Sequence, residues 1–283
     1  MNPSIIGRGI ASLRKKAGFT QAALAEFLNV SDKAVSKWER GLSCPDISLL
    51  PKLSIVLNTD IDSLINGRNS GINHRWKGIL FLDDFASFQV YSKPLVYYLI
   101  QNFLLVGIRD VLIIGGNVSG LLGTGEQFGM QFKYDVDSTI KALLNHAEFT
   151  SANTMIVFEN VLVYGANLTR NYQSIMSYED DSIDLITDGH NPIPIIFCRK
   201  KKWEKLHKQI YKWNSINDMI SDMDSVHKAL DRGIVALPLN NNDQILEASR
   251  FIQIIEKAEK KEIANLYEIA DSRGLIQIKS IGE

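Results

Sequence analysis

Cysteine is scarce in this 283-residue chain. Only Cys44 and Cys198 are present, far apart, with no CxxC pair. That excludes a disulfide framework and a zinc knuckle. The five histidines (74, 146, 190, 207 and 227) are scattered, with no HxxxH or HxxE spacing, so no metal site is expected. A long apolar run is also lacking. The richest stretch, Leu95 to Gly116, is interrupted by Gln101, Asn102 and Arg109-Asp110. It falls short of the roughly 20 apolar residues of a membrane span, and it reads as a buried helix followed by a buried strand. Gly7, Arg8 and Gly9 interrupt the start, so no secretory leader is read, and a reducing cytoplasm is the expected compartment. Neither charge sign dominates: Lys+Arg is 31 and Asp+Glu 32, which excludes a whole-chain polycation. What is present is ordinary globular material, with 45% hydrophobic and 22% charged residues. The length suits one large or two ordinary domains.

Charge and texture divide the chain. Residues 1–69 hold nine Lys/Arg against six Asp/Glu, a local +3, and the remainder holds 22 against 26. The first part has apolar positions at threes and fours throughout, the helical period. Periodicity stops at the small, polar run Gly67–Asn73, which reads as a linker over 67–76. Beyond it, short apolar runs (Gly78–Leu82, Val111–Ile114, Thr154–Phe158, Ile193–Phe197) alternate with helical stretches, the pattern of an α/β domain with a mostly parallel sheet. The expected organisation is a helical domain over 1–66, a linker, and an α/β domain over 77–283.

Within the first part, Thr20 is placed as an N-cap for Gln21–Leu28, and Asn29 suits a left-handed turn. Ser31 is a second N-cap for a helix through Val35, Trp38 and Glu39, stopped at Gly41. Asp46, after Pro45, is expected to cap a fourth helix carrying Leu49, Leu50, Leu53, Val56 and Leu57. Two short helices joined by a tight turn let one lie in a major groove while the other braces it. The ordered run Ile10–Ala25, then Val30–Gly41, with its Thr-Gln, Trp-Glu and later Pro-Asp pairs, resembles the Cro/phage-repressor (XRE-type) helix-turn-helix family over residues 5 to about 66. The resemblance implies five helices, with the recognition helix inside Ser31–Arg40 and double-stranded DNA as the partner. It places Asp32, Lys33, Ser36 and Lys37 toward the groove and Gln21 on a phosphate. Lys33 and Lys37 stand at i and i+4 with Ser36 beside them; lysine can donate to guanine edges and aspartate can accept from cytosine N4. Arg14, Lys15, Lys16 and Arg40 are candidate phosphate contacts, which position without reading sequence. A charge of +3 is low for a strong nucleic-acid binder, so a homodimer on two half-sites is expected, joined through the second domain.

The second part carries, in order, Lys77–Leu80, Tyr91–Leu99, Gly107–Ile114, Gly125–Tyr134, Met155–Gly165 (one strand ending in Tyr164-Gly165), Asp231–Val235, Leu246–Ile252 and Glu268–Ile276. This series resembles the sugar-nucleotide nucleotidyltransferases, most closely the glucose-1-phosphate thymidylyltransferases. It implies a Rossmann-like mixed sheet with helices on both faces. The chemistry of that family needs a glycine-rich, arginine-bearing loop after the first strand to cradle a triphosphate. Phe81–Val90 here has no glycine and no basic residue. The family's two magnesium aspartates align with Asn160 and Pro238, and its Glu-Glu-Lys-Pro motif is absent. Lys93, which contacts phosphate in the family, is retained; it and Tyr164 are the candidate ligand contacts. No catalytic residue, metal or cofactor is therefore assigned.

Two further clusters stand out. The basic run Arg199–Lys202 with Lys205, Lys208 and Lys212, interleaved with Trp203, Tyr211 and Trp213, suits either a second nucleic-acid or anionic surface or, the favoured reading, a solvated helix face with aromatics behind it. Asp180, Asp181 and Asp184 read as solvent-facing loop residues. The expected function is a DNA-binding transcriptional regulator whose second domain dimerises, lacks catalysis and senses a sugar nucleotide or sugar phosphate. An active nucleotidyltransferase and a pure oligomerising scaffold are the rival readings.

Overall fold

The computed structural model describes residues 2–16, 19–57, 59, 61–66, 76–82, 86–158, 161–177, 181–189, 191–272 and 275–276. They group into two compact units, residues 2–66 with 275–276, and residues 76–272.

The first unit is helical: α1 (Pro3–Lys16), α2 (Gln21–Leu28), α3 (Asp32–Glu39), α4 (Leu50–Val56) and α5 (Ile61–Asn66). The caps are those read from the sequence. Thr20 Oγ1 accepts from the Ala23 N–H and Ser31 Oγ from the Ala34 N–H, while Asn29 takes φ 56°. Each cap satisfies an amide that the first helical turn leaves without a partner. Asp46 instead caps a short 3-10 turn, Ile47–Leu49, ahead of α4. Helical periods bury Ile6, Ile10, Leu13, Leu24, Leu28, Val35, Trp38, Leu53 and Leu64 in one core. Gly7 is where α1 meets α3: a Cβ there would lie 2.0 Å from the Trp38 carbonyl oxygen.

The second unit runs β1 (Trp76–Leu82), β2 (Gln89–Val90), β3 (Lys93–Pro94), α6 (Leu95–Leu105), β4 (Asp110–Gly115), α7 (Ser119–Leu122), β5 (Gln131–Asp135), α8 (Ala147–Thr150), β6 (Asn153–Phe158), β7 (Val161–Gly165), α9 (Leu168–Ser177), β8 (Ile183–Thr187), β9 (Pro192–Cys198), α10 (Lys200–His207), α11 (Ile216–Asp222), β10 (Val226–Ala229), β11 (Ile234–Pro238), α12 (Asn242–Glu259) and α13 (Leu266–Ser272). Seven of these strands form a sheet in the order β10-β8-β9-β6-β1-β4-β5, parallel except for β9. Strand alternation sends Ile79 and Phe81 into a core with Leu143, Phe149, Trp203 and Leu206. On the opposite face Gly78 lies under α6, where an added Cβ would meet the Phe103 ring at 2.8 Å. The apolar stretch from Leu95 is thus buried helix α6 followed by buried strand β4. Among the described residues, no helix is long and apolar enough to cross a membrane.

Three expectations of local structure are corrected. Trp76, expected in the linker, opens β1 with 3% exposure; residues 67–75 lie outside the described residues. The helix expected from Tyr91 starts at Leu95: Tyr91 has φ 58° and Val90 pairs with Lys93 in a two-residue hairpin. Pro94 disfavours helical backbone at the preceding residue, which holds Lys93 extended. The single strand expected over Met155–Gly165 is two strands, β6 in the main sheet and β7 in a separate antiparallel pair with β11.

Candidate functional site

In the first unit, α3 turns its polar side outward. Val35 and Trp38 are buried against the core, while Asp32, Lys33 and Lys37 are exposed and Ser36 is half-buried. The structure therefore brings the four residues expected to face a groove onto one side of the helix. The Lys33 N–H donates to Asp32 Oδ1 at 2.7 Å, which fixes the carboxylate at the helix N-terminus, where a negative charge is favoured. Arg40 is exposed, and its Nε donates to the Ser36 carbonyl at 3.2 Å. Lys15 is exposed; the Lys16 side chain lies outside the described residues.

Arg14 is a correction. Its side chain is 10% exposed and is engaged within the unit. Nε donates to Glu39 Oε1 at 2.5 Å, Nη2 to Glu39 Oε2 at 3.0 Å and Nη1 to the Phe19 carbonyl at 2.7 Å. It ties α1 to the end of α3, so the guanidinium expected on a phosphate is already engaged within the unit. Gln21 Nε2 donates to the same carboxylate at 2.7 Å, using one of two amide hydrogens. Burial works to raise the Glu39 carboxyl, but the hydrogen bonds from Arg14 and Gln21 outweigh it and hold the group below the usual carboxylate range. Glu39 is the residue that reading by spacing missed. It stands 25 positions from Arg14, and its only sequence signal was the Trp-Glu pair.

In the second unit the candidate ligand residues are turned to structural work. Lys93 Nζ lies 3.1 Å from Glu262 and 3.8 Å from Glu256, with a side chain 14% exposed. Tyr164 donates its hydroxyl to Glu259 at 2.9 Å and packs edge-on against Phe251. Burial, then the Glu259 carboxylate, pushes the phenol up to about 12. Both residues thus brace the C-terminal part of α12 and its following turn rather than standing free for a ligand. Beside them lies an open depression of about 230 Å³ lined by Tyr91, Glu256, Lys257, Lys260, Lys261 and Glu262. The Glu/Lys run 256–262 gave no sign of it, because mixed charge at a helix end reads as solvated surface.

The magnesium ion that the resemblance implies does not fit these residues. Pro238 ends β11 opposite Val161, so the position aligned with one metal aspartate offers no side-chain donor. The other, Asn160, and Asp83-Asp84 of the aligned phosphate loop lie outside the described residues.

The remaining clusters separate. On α10, Lys200, Lys201 and Lys205 are exposed with Trp203 and Leu206 buried beneath. Arg199 departs from that face. Its side chain is 6% exposed, Nη1 donates to Asp184 Oδ2 at 2.9 Å, Nη2 to the Ile175 carbonyl at 2.6 Å, and the guanidinium lies 5.0 Å from the Trp76 ring centroid. Asp184 is correspondingly fully buried on β8 and not a loop residue. Asp180 and His190 lie outside the described residues.

The helix-turn-helix family model matches residues 10–64. Repressor protein C2 of Salmonella phage P22 is 38% identical over 73 residues, which is 26% of this chain and 34% of the repressor. The glucose-1-phosphate thymidylyltransferase of Neisseria gonorrhoeae is 22% identical over 239 residues, covering 68% of this chain and 83% of that enzyme. Among solved structures, a putative glucose-1-phosphate thymidylyltransferase from Bacillus anthracis in complex with a sucrose superposes with a TM-score of 0.52 at 14% identity, over 68% of this chain and 99% of that one. The structural likeness establishes the nucleotidyltransferase fold of the second unit. The chain thus carries an XRE-type helix-turn-helix domain at its N-terminal end, followed by an α/β region homologous to the glucose-1-phosphate thymidylyltransferases.

Proposed function

We propose that this protein is a sequence-specific DNA-binding transcriptional regulator acting as a homodimer, with a second unit that does no nucleotidyl transfer. The observation that carries the reading is the exposed face of α3. Lys33 and Lys37 stand clear of the core, with half-buried Ser36 between them, on a helix whose start, end and orientation are held by Ser31, Glu39 and Arg14. Such a helix can donate to base edges in a major groove, and the match to a phage repressor supports it. Lys15 and Arg40 then supply phosphate contacts, with Gln21 through its remaining amide hydrogen. A regulator of this design acts where the DNA is, in the cytoplasm of a bacterial cell.

The loss of catalysis rests on chemistry. Nucleotidyl transfer depends on positioning and on stabilising the phosphates' charge. The aligned phosphate loop has neither glycine nor cation, Pro238 cannot replace a carboxylate, and Lys93 is neutralised by two glutamates. Sensing of a sugar nucleotide or sugar phosphate is supported by the homology of the second unit.

Selection from random duplex DNA, followed by anisotropy titration of the full chain, is expected to yield a pseudo-palindromic sequence bound at least about 1,000-fold more tightly than random DNA. No enrichment overturns the DNA reading. Incubation with dTTP, glucose-1-phosphate and Mg²⁺ is expected to release no pyrophosphate; sustained release would make the chain an enzyme. A thermal shift with dTDP-glucose, UDP-glucose or glucose-1-phosphate is the expected mark of an effector, and a flat panel removes it.

A further inference from the structure

Helix α12 has two sides. Ile245, Ala248 and Ile252 are buried in the second unit. The opposite side carries Asp243, Leu246, Glu247, Arg250, Ile254 and Lys257, all exposed, with Leu246 at 51% and Ile254 at 63%. These fall at three- and four-residue steps, so they form one stripe along the helix. Two large aliphatic side chains thus share the open face of this 18-residue helix with four charged ones.

The order of residues along the stripe says what that surface is. Leu246 and Ile254 are equidistant from Arg250, and so are Asp243 and Lys257. If a second copy of the helix is laid antiparallel with the two-fold axis at Arg250, Leu246 of each copy meets Ile254 of the other. Asp243 of each meets Lys257 of the other, at both ends of a seam about 21 Å long. At the axis Arg250 of each copy faces Arg250 of the other, a repulsion that Glu247 of each copy, one turn away, offsets. Among the described residues none of these four charges is in an ion pair. The acidic group sits in the first turn and the basic one in the last, so the antiparallel arrangement also sets helix dipoles head to tail. Outside the central arginines the stripe is complementary to its own reversal, as an isologous two-fold interface requires.

From this geometry we infer that α12 is the dimerisation helix, paired antiparallel with α12 of a second copy through Leu246 and Ile254 and locked in register by Asp243 and Lys257. The inference rests on the dimer reading above and names its surface. One helix pair is a small interface, near the roughly 1,000 Å² lower limit for specific association. The free dimer is therefore expected to be weak, with Kd of about 1–10 μM, and to tighten when two half-sites hold both copies.

Sedimentation equilibrium of the full chain, free and on its selected operator, is the test. Leu246→Glu and Ile254→Glu are each expected to weaken the free dimer at least about 10-fold. Asp243→Lys alone sets lysine against lysine, Lys257→Asp alone sets aspartate against aspartate, and each should weaken it about 3–10-fold. The double swap D243K/K257D should recover the wild-type constant to within about 3-fold, although both changes oppose the helix dipole. That recovery separates an interface from a folding defect, which would grow in the double variant. If the wild type dimerises but the charge changes do nothing or simply add, this surface is wrong and the dimer reading stands. If the wild type stays monomeric both free and on operator, the dimer reading falls, and this inference with it.

Discussion

Replacing Arg14 by alanine separates two roles that its position in the sequence left indistinguishable. The Arg14 and Glu39 side chains are 10% and 7% exposed, and the pair is bidentate with a third bond to the Phe19 carbonyl. Removing one partner of a buried pair costs about 3–5 kcal/mol, because the other charge is left uncompensated. Here Gln21 still donates to Glu39 and solvent reaches the edge of the pair, so R14A is expected to cost about 2–3 kcal/mol. A unit of this size holds roughly 3–10 kcal/mol in all. In the full chain, hydrogen exchange of the α3 amides should accelerate about 30–150-fold, the equivalent of that loss. E39A should act similarly, and the double variant should fall short of the sum by about 1–2 kcal/mol. The sign with pH follows from the depressed Glu39 carboxyl. Its contribution is present in full above the unfolded value near 4.5 and is lost as pH falls through the lower folded value. R14A should flatten that acid limb. Unchanged exchange in R14A, together with a salt slope of DNA binding lowered by about 0.9, would refute the structural role and return Arg14 to a phosphate.

Lys33→Ala and Lys37→Ala should each weaken operator binding by about 1–3 kcal/mol and relax preference at particular base pairs, whereas Lys15→Ala should weaken all sequences alike; anisotropy on a mutated operator panel distinguishes them. Gly7→Ala drives a Cβ into the Trp38 carbonyl at 2.0 Å, so α1 and α3 must separate, and loss of helical signal from the first unit below the wild-type melting range is expected. Asp184→Ala removes the buried carboxylate that Arg199 Nη1 donates to, leaving Arg199 its bond to the Ile175 carbonyl, and should cost about 2–4 kcal/mol in urea unfolding, while D184A/R199M should recover most of it; an additive double variant would sink that reading. Burial pushes the Cys198 thiol well above its usual range, so an aromatic disulfide reagent should label Cys44 at least about 100-fold faster in the native chain and both equally in urea.

The parts of this molecule legible in the sequence are those set within a few residues. Thr20 and Ser31 cap because a hydroxyl reaches an amide three positions on, and Asn29 turns because its backbone tolerates positive φ. Apolar spacing announced the buried sides of α1 and α3, and β-rich runs announced β1, β4 and β9. Errors began where a local signal was read too broadly. Pro94 disfavours the helix start that the apolar run suggested, and one apolar stretch was divided between two sheets.

Sequence alone thus determined the two-part architecture and the surface of α3, since periodicity, caps and ordered motifs are short-range properties. Tertiary structure decided which charges remain available. Arg14 is held by Glu39, Lys93 by Glu256 and Glu262, and Arg199 by Asp184, over separations of 15 to 169 positions. Each pairing depends on distance through space and on exclusion of water, and chain spacing carries neither. For the same reason only the packed second unit could separate the covered side of α12 from its exposed stripe.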